Sequence, residues 1–193
     1  MRRFTCGRSK LVEGVDWMNV REGLRSSPSG RIRQCDSQDI DVIYQVINEA
    51  AKAYKPVLAP HVYHEPQMPR EELQQEMRRV RFSAYEENGH VLGVMGYEYV
   101  GDVALIRHAY ILPGSQRKGI GSLLLKEIED SITKSKRVKR IIIGTYTGAS
   151  WAISFYEKHG YRKSTNSQDM LTKYYDIPEV QRLNSLTLEK NLP

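Results

Sequence analysis

Between residues 80 and 112 the chain carries three β-type runs parted by two short turns, and the last run leads straight into a glycine-rich loop and a leucine-rich segment. In the first run Val80, Phe82 and Ala84 alternate with Arg81, Ser83 and Tyr85, the period of a strand. Asn88-Gly89 follows, a pair that tolerates the left-handed backbone of a tight hairpin. Residues 91–100 and 103–112 are parted by Gly101-Asp102, and Pro113-Gly114 closes the last of them. The pattern predicts an antiparallel three-stranded meander. Strict alternation in its last strand sets Leu105, Arg107 and Ala109 on one face and Ile106, His108 and Tyr110 on the other. Arg107 and His108 are therefore expected to point apart.

After the meander the period changes. Ile120, Leu123, Leu124 and Ile128 form one apolar helical face. A basic run at 134–140 and the buried-strand signal "IIIG" come next, then "ASWAISFYEKHG", a helix ended by Gly160. Strand, helix and strand in succession imply a parallel crossover. Residues 184–189 alternate around Leu186 and Leu188 and read as a last strand. Upstream, residues 31–35 read as a first strand, and Asp36 with Asp39 opens a helix through Ile40, Ile43 and Ile47 that stops at Lys55-Pro56. Prolines 56, 60, 66 and 69 make a stiff loop carrying His61, Tyr63, His64 and Glu65, and Pro69 starts a helix through Leu73 and Met77. The expected fold is a single mixed α/β (α+β) domain whose antiparallel meander continues into a parallel strand-helix-strand unit, with helices on both faces.

A chain of 193 residues suits one domain. Residues 1–30, ending in a Ser-Ser-Pro-Ser-Gly linker, read as a flexible extension and 31–193 as the domain. No apolar run approaches the ~20 residues needed to span a bilayer, and no secretory or twin-arginine signal is visible, so a cytoplasmic protein is expected. Cys6 and Cys35 share no C-x-x-C spacing and read as reduced thiols. His61, His64 and Glu65 lack the further ligand pair of a zinc site, so no metal is expected. The net charge of +6 keeps a nucleic-acid-binding module open as a rival, although no interleaved aromatic platform accompanies the basic run.

The loop "QRKGIGS", residues 116–122, sits where a helix N-terminus offers unpaired amides and a positive dipole end, which suits a phosphate. It is not a P-loop: Gly114 and Gly119 are spaced correctly, but Ile120 and Gly121 stand where Lys and Ser or Thr belong. Nor is it a dinucleotide fingerprint, since Leu124 occupies the third glycine position.

"HAYILPGSQRKGIGSLLL" together with "ASWAISFYEKHGYRK" resembles the two core motifs of the GNAT superfamily of acetyl-CoA-dependent N-acetyltransferases. Gln116-x-x-Gly119-x-Gly121 matches that family's Q/R-x-x-G-x-G/A loop. The resemblance implies acetyl-CoA as acetyl donor and a primary amine, of a small molecule or a protein, as acceptor. It assigns cofactor contacts to Ile111, Gln116, Arg117, Lys118, Gly119, Ile120, Gly121, Ser122 and Phe155, with Ile111 pairing through its backbone to the pantetheine arm. Tyr156 falls on the family's general-acid tyrosine. The family's frequent asparagine before this helix is Ala149 here, and the position of its strand carboxylate is Leu105, which cannot take a proton. Glu98, His108 and the proline-loop histidines are the remaining base candidates, with a water relay as another route. Tyr97 and Tyr99 share a strand face, either in an acceptor pocket or as sheet packing. The resemblance also implies a possible homodimer through the final strand. A binding-only acyl-CoA protein is the first rival, ahead of the nucleic-acid-binding module, motivated by the missing strand carboxylate.

Overall fold

In the computed structural model, which describes residues 29–193, the chain enters on an edge strand, β1 (Arg31–Gln34). All but the last two residues of the expected extension, and Cys6 with them, lie outside the described residues. At Asp36 a reciprocal capping box forms: its side chain accepts from the Gln38 amide, and the Asp39 carboxylate accepts from the Asp36 amide. That cap launches a 3₁₀ turn and then α1 (Ile40–Ala51), which buries Ile43, Val46, Ile47, Ala50 and Ala51. The proline loop follows and is tied to α1 by Asn48, whose side-chain amide bonds both the amide and the carbonyl of Met68. Pro69 then caps α2 (Arg70–Glu76).

The meander forms as the alternation requires, with β2 (Arg81–Glu87), β3 (His90–Val100) and β4 (Val103–Ile111). Asn88 and Gly89 take φ of +50° and +77° in the hairpin turn. The crossover through α3 (Ile120–Ser135) brings β5 (Arg140–Tyr146) alongside β4 in parallel. The remaining elements are α4 (Ser150–Lys158), β6 (Arg162–Lys163), α5 (Ser167–Tyr174), α6 (Glu179–Leu183) and β7 (Ser185–Asn191). The sheet runs β1-β2-β3-β4-β5-β7-β6, antiparallel apart from the β4–β5 pair.

Helices cover both faces. Residues of α3 and α4 pack with Met95, Tyr97, Ala104, Ile106, Ile141 and Ile143 on one side, while α1 and α2 cover Phe82, Ala84 and Val94 on the other. Two expectations change in detail. Leu123 is 39% exposed, and Leu125 is buried in its place. Ile120, Leu124, Ile128 and Ile132 step by four residues, so the stripe turns about 40° per step, toward Leu125 and away from Leu123. The segment between α4 and β7, left unassigned by periodicity, supplies α5, whose Met170 and Tyr174 cover Val103, Leu105 and Ile142.

Candidate active site

The parallel pairing of β4 with β5 lasts for three residues, Ala104 to Ile141, Leu105 to Ile142 and Ile106 to Ile143. Past that point the strands part. Residues 107–111 of β4 pair only with β3, and residues 144–146 of β5 only with β7. The opening forms a cavity of about 280 Å³ whose walls include Arg107, His108, Tyr110, Tyr146, Tyr156 and Tyr175. The proline loop lines it through His64, Gln67 and Met68. His61 is exposed and is not among the lining residues.

A β-bulge sets the chemistry at the mouth of the split. Val94 opposes Tyr110 and Gly96 opposes Arg107, so Met95 alone faces both His108 and Ala109. His108 takes φ +51°, a left-handed conformation that costs a side-chain-bearing residue roughly 1–2 kcal/mol. The extra residue resets the alternation. Arg107 and His108 do not point apart as strict alternation predicts; both reach one carboxylate, Glu76 of α2. His108 Nε2 lies 2.8 Å and Arg107 Nη2 3.3 Å from Glu76 Oε2, and the His108 ring stacks on Phe82 at 5.6 Å.

Burial alone raises the Glu76 pKa, but the His108 hydrogen bond and the Arg107 and Arg79 charges bring it down to about 2. Glu76 is therefore a carboxylate at neutral pH and can only accept. His108 must donate from Nε2, which leaves the lone pair on Nδ1. Burial is the main cause that lowers the His108 pKa, Arg107 adds to it, and Glu76 opposes it. The imidazole is thus neutral at pH 7 and able to take a proton.

Glu98, an expected base candidate, is placed differently. Its carboxylate is 5% exposed, is held by Arg79 and, at 2.7 Å, by Arg107, and does not line the cavity. Tyr97 and Tyr99 also lie elsewhere, packed edge to face with each other on the α3 side, where Tyr99 donates to Ser135 Oγ at 2.8 Å. Packing is their role here. Tyr156 is 5% exposed and stands in the cavity wall, packed on Phe155 and Tyr161 at ring distances of 5.0 and 5.7 Å. Burial pushes its phenol well above the ordinary range, so it carries its proton throughout the neutral region.

At the far end of the split, Gln116 Nε2 donates to the Ile111 carbonyl at 3.1 Å and folds the loop back on β4. Arg117 and Gly119 take φ of +60° and +87°, and α3 starts without a side-chain cap. Among the described residues the first backbone bond of this helix runs from the Leu123 amide to the Gly119 carbonyl; the amides at 117–122 have no backbone acceptor. Arg117 and Lys118 are exposed beside them. A Cβ on Gly121 would meet the Phe155 ring at 3.4 Å. Ser122 Oγ lies 2.9 Å from His159 Nε2, and His159 Nδ1 donates to the Phe155 carbonyl at 2.7 Å. Ala149 stands at the start of α4 with no side-chain cap.

A split parallel pair, a bulged strand and an uncapped glycine-loop helix in one cleft coincide with a sequence match to the model of the acetyltransferase (GNAT) family over residues 43–161. The chain belongs to this family. Among solved structures, this GNAT chain is similar to an acetyltransferase of Staphylococcus aureus Mu50, with a TM-score of 0.68 and 15% identity over 86% of this chain and 100% of that one. It is likewise similar to the PaiA N-acetyltransferase of Thermoplasma acidophilum in complex with coenzyme A, at TM-score 0.65 and 19% identity over 84% of this chain and 99% of the other. The ribosomal-protein-S18-alanine N-acetyltransferase of Escherichia coli gives 0.64 and 18% over 84% and 94%. These likenesses describe the fold. A sequence relative, the UPF0157 protein YqkA of Bacillus subtilis strain 168, is 31% identical over 84 residues, which are 44% of this GNAT chain and only 24% of that protein.

Glu76, Tyr54, Tyr146 and Tyr175 were not legible as site residues. Tyr175 reaches the cavity because β5 carries Gly144 beneath its ring, where a Cβ would come within 3.1 Å. No local motif marks such a pairing; the one cue was the lone glycine closing "IIIG", the usual sign of close approach in a strand.

Proposed function

We propose that this GNAT protein transfers the acetyl group of acetyl-CoA directly to a primary amine, with residues 31–193 as the acetyltransferase domain. The observation that carries the reading is the parting of β4 from β5 beyond Ile106, with an uncapped helix N-terminus at one end and a protonated tyrosine in the wall. In it the diphosphate takes the free amides of 117–122, with Arg117 and Lys118 adding positive charge. The pantetheine arm lies along the unpaired edge of β4 near Ile111, and Phe155 backs the loop. The coenzyme A bound to the T. acidophilum protein supports this donor.

The amine enters from the cavity side. Its ammonium gives one proton to His108 Nδ1, and the nitrogen attacks the thioester carbonyl to form the C–N bond. As the C–S bond breaks, Tyr156 protonates the thiolate and recovers a proton from the new amide nitrogen, leaving the N-acetyl product and free thiol. Glu76 holds the imidazole in its donating tautomer. Glu98 fits better as the anchor of Arg79 and Arg107 than as the base.

Calorimetric titration of acetyl-CoA into the protein and into Gly121→Glu, with ATP as comparison, tests the donor. Saturable binding of acetyl-CoA over ATP, lost in a variant with an unchanged circular-dichroism spectrum, is the expected result. Equal binding of ATP, or no binding by the folded protein, overturns it. Free thiol appearing on addition of an amine then separates transfer from mere binding.

A further inference from the structure

We infer that the acceptor taken up by this cavity is a small diamine: a primary ammonium joined by a short aliphatic chain to a second cationic nitrogen, with no carboxylate on the chain. This rests on the acetyl-transfer reading above and adds the acceptor's chemistry to it.

The charge of the walls is the first observation. Among the described residues, three carboxylates, Glu72, Glu76 and Asp176, line the cavity against one guanidinium, Arg107. Glu76 is neutralised by its ion pairs, whereas Glu72 and Asp176 make no ion pair or side-chain hydrogen bond among the described residues. They stand exposed at the rim, Glu72 on α2 and Asp176 just after α5. Arg107 is already bound to Glu76 and Glu98 and is 10% exposed, so among the described residues no lysine or free arginine is left on the walls to receive a substrate carboxylate.

The interior is the second observation. Tyr54 packs on Tyr110 and Tyr146 at ring distances of 6.4 and 5.2 Å, and all three rings line the cavity. Aromatic faces of this kind attract ammonium groups and tolerate the methylenes between them. Among the described residues, one buried polar atom of the same walls, Gln67 Oε1, has no hydrogen-bond partner. A buried carbonyl oxygen lacking a donor costs roughly 1–3 kcal/mol, and a ligand N–H removes that cost. The volume of about 280 Å³ falls just below the ~300–1,000 Å³ of drug-sized ligand sites. A short chain fits it.

Three acceptors of equal chain length isolate the far group: 1,4-diaminobutane, n-butylamine and 4-aminobutyrate, read by thiol release with acetyl-CoA. The expected order of kcat/KM is diamine, then monoamine, then amino acid, with about tenfold between the first two. In the double variant Glu72→Gln/Asp176→Asn the diamine-to-monoamine ratio falls by about tenfold, to near parity. Equal or better use of 4-aminobutyrate, or an unchanged ratio in the double variant, overturns the inference. If no amine is acetylated, calorimetry with 1,4-diaminobutane still decides: saturable binding weakened by the double variant keeps the pocket assignment and removes the transfer reading, while absence of such binding overturns the assignment itself.

Discussion

His108 concentrates the features of the site in one residue. It sits on the bulge with a left-handed backbone, its ring lies on Phe82, and its Nε2 is committed to Glu76. An imidazole so held is a base only while neutral, and burial lowers its pKa below the ordinary 6.5. The acidic limb of kcat/KM is therefore expected below pH 6.5, with activity lost as pH falls through it. His108→Gln is expected to lower kcat by roughly 10²–10⁴-fold and to flatten that limb. Tyr156→Phe keeps the packing but removes the proton, so kcat falls at nearly constant KM. A pH profile of both variants against the parent checks the pair. A Tyr156→Phe enzyme with unchanged turnover removes the tyrosine's role. At this scale the sequence offered His108 and Tyr156 as candidates, but the tautomer of one and the protonation of the other depend on Glu76 and on burial.

At the scale of elements, the meander, the hairpin at Asn88-Gly89 and the crossover through α3 were legible because period and turn chemistry are local signals. The bulge was not, since alternation gives no sign of one inserted residue. Neither was α5, an eight-residue helix too short for its period to stand out. Yet α5 and the residues after it close the cavity with Tyr175 against Gly144. Gly144→Val is expected to push that ring out of its place and lower kcat/KM for the amine more than tenfold, while acetyl-CoA affinity, set at the α3 end, changes by about twofold or less. Titration calorimetry beside steady-state kinetics separates the two. An equal loss in both would mean that the split collapses as one unit.

For the whole molecule, the Glu76 cluster joins α2 to β3 and β4 and links stability to pH. The Glu76 pKa is about 2 in the fold against 4.5 as a free carboxyl. Its folded value is depressed, so the stabilisation is complete above pH 4.5 and is lost as pH falls toward 2. The shift corresponds to about 3 kcal/mol. Glu76→Gln removes this linkage. The stability gap between parent and variant in urea is therefore expected to shrink by about 2 kcal/mol between pH 7 and pH 3. A constant gap would mean that the Glu76 carboxyl has the same pKa in the folded and the unfolded chain. What the sequence determined by itself was whatever is written in neighbouring residues: the order of elements from β1 to α4, the glycine loop ahead of α3, and the motif that leads to the GNAT family. Tertiary structure alone decided which charges meet. Glu76, Glu98 and Arg107 come from three elements up to 31 positions apart, and their pairing depends on bulge, burial and sheet register, none of which a linear pattern encodes.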